Sequence, residues 1–132
     1  MMPTKTKISF RIMEFKCTHE DITKILRVQP TMIWSQGEKI RHTSLVHKQN
    51  GWSLDVDLED HADLNAHVAD ILNKVHPYCK DLVNTCGEYY AELVCVLYIA
   101  GDERPEIHFT PQVLKKLVAL NAHVDVDLYL LE

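Results

Sequence analysis

Residues 89–100 constrain the fold more than any other stretch of the chain. Ala91, Leu93, Cys95, Leu97 and Ile99 alternate with Tyr90, Glu92, Val94, Val96 and Tyr98. Period two over so many positions is a strand, because successive side chains leave opposite sides of a pleated backbone. Both sets turn apolar after Leu93, the pattern of a central strand covered on two sides. Such a strand needs neighbours. Ile8, Phe10 and Ile12 alternate with Ser9, Arg11 and Met13 and predict a strand over 6–15. Val124, Val126, Leu128 and Leu130 predict the inner face of a last strand, and residues 106–109 a short one.

Helices fall between these strands. Thr18 offers a hydroxyl N-cap, and Glu20 and Asp21 put acids in the first turn, where the helix dipole favours them. Ile22, Ile25 and Leu26 give a short stripe that Pro30 stops. Residues 31–39, with Trp34 and Gly37, read as an irregular connection. Residues 43–48 and 52–58 flank Gln49-Asn50-Gly51, and Asn-Gly is a strong hairpin signal. Leu64, Val68, Ile71, Leu72 and Val75 form one helical stripe, with Asp60 as its cap and Pro77 as its end or kink. A further helical piece over 78–86 ends at Gly87. Thr110-Pro111 starts the last helix, with Thr at the N-cap and Pro at N1. Val113, Leu114, Leu117, Val118 and Leu120 are its expected buried face, and Asn121 its left-handed end.

The order is strand, helix, two strands, long helix, two strands, helix, strand. It predicts a single α+β domain over 1–132, a mostly antiparallel sheet with helices packed on one face. A ferredoxin-like arrangement with an added hairpin fits it. With 46% apolar and 25% charged residues, 132 residues suffice for a core without metal or disulfide.

Ile8-Ser9-Phe10, residues 21–26 (DITKIL), Val28, Pro30-Thr31, Gly37-Glu38, Gly51-Trp52 and residues 124–129 (VDVDLY) resemble a bacterial family catalogued as domain of unknown function 4279. The resemblance spans nearly the whole chain and rests mostly on packing and turn residues. It implies a fold, and no reaction, substrate or cofactor.

Charge narrows the function classes. Lys plus Arg number 14 and Asp plus Glu 19, a net charge of -5. That argues against nucleic acid and anionic membranes as partners, since both need a basic surface. The longest apolar run, 93–100, falls short of the roughly 20 residues that span a bilayer. The start of the chain alternates into Arg11 rather than forming a signal-peptide apolar region. Cys17, Cys79, Cys86 and Cys95 lack paired C-x-x-C spacing, so free thiols in the cytoplasm are the expectation.

No catalytic constellation stands out. His61, Asp63 and His67 sit near the start of the long helix, and His123, Asp125 and Asp127 on the last strand. Histidines six apart fall on nearly opposite sides of a helix, so a metal site needs the two groups to meet. No catalytic residue, metal ligand or cofactor is assigned. Cys17, just ahead of a helix N-terminus, is the best reactive-thiol candidate, with His19 or His42 as its base. Cys86 and Cys95 read as small apolar fillers. There is no Gly-rich phosphate loop.

The usable positive signal is acidic. Asp55, Asp57, Glu59, Asp60 and Asp63 run from a strand into the long helix, and Asp125 and Asp127 join them if the two Asp-Val-Asp strands share a face. Trp34 is a candidate aromatic anchor beside them. The expectation is a non-enzymatic binding module, immunity or antitoxin-like, that occludes a basic protein partner such as a toxin. A small-molecule or metal site built from His and Asp groups is the competing class. Pairing of two copies through a free sheet edge is a further expectation, with the edge left open.

Overall fold

Ile8, Phe10 and Ile12 are fully buried, and the strand that carries them is the middle of the sheet. The computed structural model describes residues 3–131. In chain order these form β1 (Thr6–Met13), α1 (His19–Leu26), β2 (Met32–Trp34), β3 (Gly51–Leu58) and α2 (Leu64–Val75). A 3₁₀ turn (His76–Tyr78) leads to α3 (Cys79–Cys86), β4 (Tyr90–Ala100), α4 (Pro111–Ala119) and β5 (Ala122–Leu131). The strands line up as β2-β3-β1-β4-β5. All pairs are antiparallel except β4–β5, which the α4 crossover makes parallel. This is the expected α+β class with a mostly antiparallel open sheet. The ferredoxin-like detail is not confirmed by this order.

Register fixes which residues meet the helices. Phe10 lies opposite Leu54 on one side and Leu93 on the other, and Ile12 opposite Trp52 and Ala91. Alternation then puts Trp52, Leu54, Val56, Leu93, Cys95 and Leu97 on the same face. Ile22 and Leu26 of α1, the whole α2 stripe, Leu82 of α3, and Val113 and Leu117 of α4 close over them. Trp52 is completely buried, and its indole N–H donates to Thr23 Oγ1 at 3.0 Å, so burial leaves no donor unpaired.

The local signals at the helix ends hold. Thr18 and Asp21 form a capping box, Thr110 caps α4 with Pro111 behind it, and Asn121 is left-handed. Pro77 breaks the second helical region into α2, one 3₁₀ turn and α3. Asp60 does not cap α2. Its carboxylate accepts from the N–H of Ala62 at 3.0 Å, one turn ahead of the helix, and Asp63 enters α2 in the left-handed region.

Four expectations are corrected. The added hairpin around Asn50-Gly51 does not form. Gly51 is not at positive φ and opens β3 instead, opposite Trp34 of the short edge strand β2. Glycine is needed there because a Cβ would overlap the Trp34 indole. A smaller hairpin folds on itself within residues 37–47, closed by the bond from Ile40 N–H to the Leu45 carbonyl and a Lys39–Val46 bridge. Residues 106–109 form no strand. The second face of β4 has no helix layer, although Val94 is buried among its neighbours. Finally, Leu114, Val118 and the inner row of β5 are exposed rather than core.

The cysteines are also corrected. Cys17, ahead of α1, is disulfide-bonded to Cys86 at the end of α3, with Cα atoms 4.6 Å apart. Their side chains are neither a reactive thiol nor a free filler. Cys79 and Cys95 are free. Among the described residues, no helix is long and apolar enough to cross a membrane.

Candidate functional site

The helices leave one side of the sheet uncovered, and register arrays its side chains in rows. Lys7 faces Asp57, Ser9 faces Asp55, and Arg11 faces Ser53 across β1–β3. On the other flank, Arg11 faces Glu92 and Ser9 faces Val94. The parallel β4–β5 register sets His123 beside Glu92, Asp125 beside Val94, Asp127 beside Val96 and Tyr129 beside Tyr98. The two Asp-Val-Asp strands therefore share a face. They are not contiguous. β1 and β4 intervene, so the two acidic pairs lie about 14 Å apart at ~4.8 Å per strand step.

The gap is chemically mixed. Lys7 and Arg11 stand next to Asp55 and Asp57, and Arg11 Nη1 is 3.6 Å from Glu92 Oε1, a carboxylate that is itself nearly buried. Val94 and Val96 separate these cations from Asp125 and Asp127. Among the described residues Asp125 and Asp127 form no salt bridge. Two stacked aromatic pairs bracket them: Tyr90 with His123, centroids 4.7 Å apart, and Tyr98 with Tyr129, 5.4 Å apart. The Tyr90 hydroxyl donates to Glu92 Oε2 at 3.3 Å. Desolvation first, and then the neighbouring Glu92 charge, hold the Tyr90 phenol above its ordinary range. Glu59 and Asp60 lie beyond the end of β3, in the bend before α2, and do not join the array.

At the β2 end, the 37–47 hairpin and the open face enclose a groove of about 840 Å³. Trp34 lines it, stacked on His47 at 5.3 Å, while its carbonyl accepts from His19 Nε2 at 2.7 Å. Met32, Ile33, Leu45 and Val46 give it exposed apolar walls. Lys7, Arg11, Lys39, Arg41 and Lys48 also line it, against only Glu38 and Asp55. Trp34 and Asp55, expected to meet a basic partner, thus sit in a cationic groove. No sequence signal marks it, since its cations are scattered over more than forty positions and only the fold gathers them.

The residues of both halves fall within one family match. The family model of a domain of unknown function, DUF4279, covers residues 4–131. The chain belongs to the DUF4279 family. No curated protein and no solved structure gives a significant match.

In this DUF4279 chain the two His/Asp groups do not meet. His61 lies against β1's first residue, its Nδ1 2.8 Å from Thr6 Oγ1 and its Nε2 3.5 Å from Glu103. His123 lies on the open face beside Glu92. Thr6 and Arg11 are five residues apart on β1 and point to opposite faces, which alone separates the groups by about 16 Å along the strand. Among the described residues, no three His, Cys, Asp or Glu side chains could hold a metal ion. Burial pushes the Cys95 thiol up to about 11, away from the thiolate. What the open face offers chemically is recognition: fixed charges of both signs, stacked rings and an apolar groove.

Proposed function

We propose that this DUF4279 chain is a non-enzymatic binding module that docks a basic protein on the open face of its sheet, as an immunity or antitoxin protein occludes a cationic site. One observation carries the reading. Among the described residues, Asp125 and Asp127 have no salt-bridge partner and stand between two stacked aromatic pairs on a face no helix covers. Preformed aromatic surface supplies contact area at low entropic cost, and the acids supply charge complementarity.

The test is capture from lysate of the cells that make the protein, with the wild type and Asp125→Asn/Asp127→Asn as parallel baits. The captured protein is then purified and its affinity measured. Stoichiometric recovery of one Lys- and Arg-rich protein, bound at least tenfold more weakly by the Asn variant, supports the reading. An acidic partner, or equal affinity for both baits, sinks it.

The groove favours a second reading. Its size is that of small-molecule sites, and its cations select an anion with an apolar body. Titration of isotope-labelled protein with decanoate would place shifts on residues 32–48 if this reading holds, and nowhere in particular if it fails.

The first reading also places the chain in the cytoplasm. The Cys17–Cys86 bond is the counter-observation, since disulfides persist in oxidising compartments. Alkylation at the moment of cell lysis reports whether the pair is a dithiol or a disulfide where the protein works.

A further inference from the structure

The two edges of the sheet are unlike. β2 is three residues long and adjoins the 37–47 hairpin. β5 is ten residues long and forms the other edge, with no strand beyond it among the described residues. An edge strand presents a row of unpaired N–H and C=O groups, which proteins blunt with charged side chains (lysine above all), proline, bulges or shortness. The charges of β5, Asp125 and Asp127, both lie on the open face and leave its other face apolar. β5 has no lysine, no proline and full length. Parallel pairs such as β4–β5 are normally buried on both faces, yet nearly every β5 residue is exposed.

The exposed side chains continue onto α4. Lys116 is hydrogen-bonded to Asn73 of α2, which fixes the inward flank of α4. Leu114 and Val118 lie about 160° round the helix from Lys116, at 100° per residue, and so point away from α2, on the helix that leads into β5. Val118 is 78% exposed, Leu128 52% and Leu130 80%.

We infer that β5 is the surface through which two copies of this chain join, edge to edge and antiparallel, into a ten-stranded sheet. This is independent of the partner proposed above. Three observations select a second copy as the occupant. The first is area. Leu114, Val118, Val124, Val126, Leu128 and Leu130 together expose on the order of several hundred Å², a large part of the ~800 Å² per partner of a standard interface and the upper end of what monomers leave in one patch. The second is self-complementarity. A two-fold axis at Leu128 sets Leu128 against itself and Val126 against the partner's Leu130, so both copies' apolar rows merge under both α4 helices.

The third is charge. An axis at Val126 would put Asp125 opposite the partner's Asp127, and an axis at Asp127 would oppose that residue to itself. Like charges directly opposite are destabilising. The axis at Leu128 sets Asp127 opposite the partner's Tyr129 instead. The two Asp127 side chains then remain diagonal neighbours, about 7–8 Å apart, so added salt strengthens this dimer by screening them.

Sedimentation velocity across a wide concentration range, at low and high salt, tests the inference. The wild type is expected at twice the chain mass, and the dimer tightens as salt rises. Leu128→Lys/Leu130→Lys changes two exposed residues, keeps the wild-type circular dichroism, and is expected to run at the chain mass. Leu45→Lys, on the groove hairpin, is expected to stay dimeric. A wild type that remains monomeric at all concentrations overturns the inference, including the case where a foreign strand covers β5. So does a dimer that survives Leu128→Lys/Leu130→Lys, one that Leu45→Lys dissociates, or one that loosens with salt. Should the double variant misfold, hydrogen exchange decides on the wild type alone. β5 amides more protected at high than at low protein concentration support the pairing, and unchanged protection rejects it.

Discussion

Gly51 shows how a single backbone position shapes the open face. Its missing Cβ is occupied by the Trp34 indole, which in turn stacks on His47 and closes the inner end of the groove. Overpacking costs about 1–3 kcal/mol where neighbours cannot relax. Gly51→Ala is therefore expected to lower the unfolding free energy by about 1–3 kcal/mol in urea titrations. It should also change Trp34 emission, because the ring must leave His47. A residue of the opposite kind is Asp21, whose carboxylate accepts the Thr18 backbone N–H at 3.1 Å. That bond, with the Thr18 side-chain bond second, holds the Asp21 carboxyl below its ordinary range. A depressed folded value means stability that is present above the ordinary carboxylate pKa and lost as pH falls through the folded one. Wild type should thus exceed Asp21→Asn in stability above about pH 4, and the gap should close on further acidification. Urea midpoints of both proteins over the acid range check the sign.

At the scale of elements, legibility tracked whether a signal was local. The Thr18 capping box, the Thr110-Pro111 start, the Pro77 break and the α2 stripe depend on residues within one or two turns, and each stands where the sequence puts it. Asn50-Gly51 misled because the same glycine serves a turn or a close approach, and only the position of Trp34 decides between them. Val118 and Leu130 carry perfect core patterns, but a pattern states which way a side chain points, not whether anything lies there. Whether the two acidic strands share a face stayed open in the sequence, and the cationic strip between them depends on β1 lying beside β3. The cysteine pair was out of reach for the same reason, being 69 residues apart. That separation gives the bond its weight, since closing so long a loop in the unfolded chain is worth about 4 kcal/mol in the chain-entropy account. Cys17→Ser is expected to cost up to about that much. Thiol titration of native, unreduced protein should find Cys79 reacting readily and buried Cys95 only on unfolding. Two further fast thiols without reduction would show the pair to be open.

For the whole molecule, a net charge of -5 conceals a face divided into two domains of opposite sign. Lys7, Arg11, Lys39, Arg41 and Lys48 gather at the β2 end, and Asp125 and Asp127 stand at the β5 end. Screening at physiological salt acts over about 8 Å, less than the ~14 Å between the two acidic pairs, so an approaching charge senses each half separately. Asp55 and Asp57 form no salt bridge among the described residues, but Lys7 and Arg11 on the adjoining strand weaken the field they project. The five-residue acidic run that dominates the sequence is therefore the weaker attractor, and the two-residue one the stronger. A short oligolysine peptide titrated into isotope-labelled protein at physiological salt should move the amides of β5 well before those of β3. Asp125→Asn/Asp127→Asn should remove most of that response, whereas Asp55→Asn/Asp57→Asn should leave it within about twofold, as for charges with cations on the adjoining strand. Equal shifts on β3 and β5 would mean that the cations of β1 do not divide the face, and the basic partner would then have to be sought over its whole width.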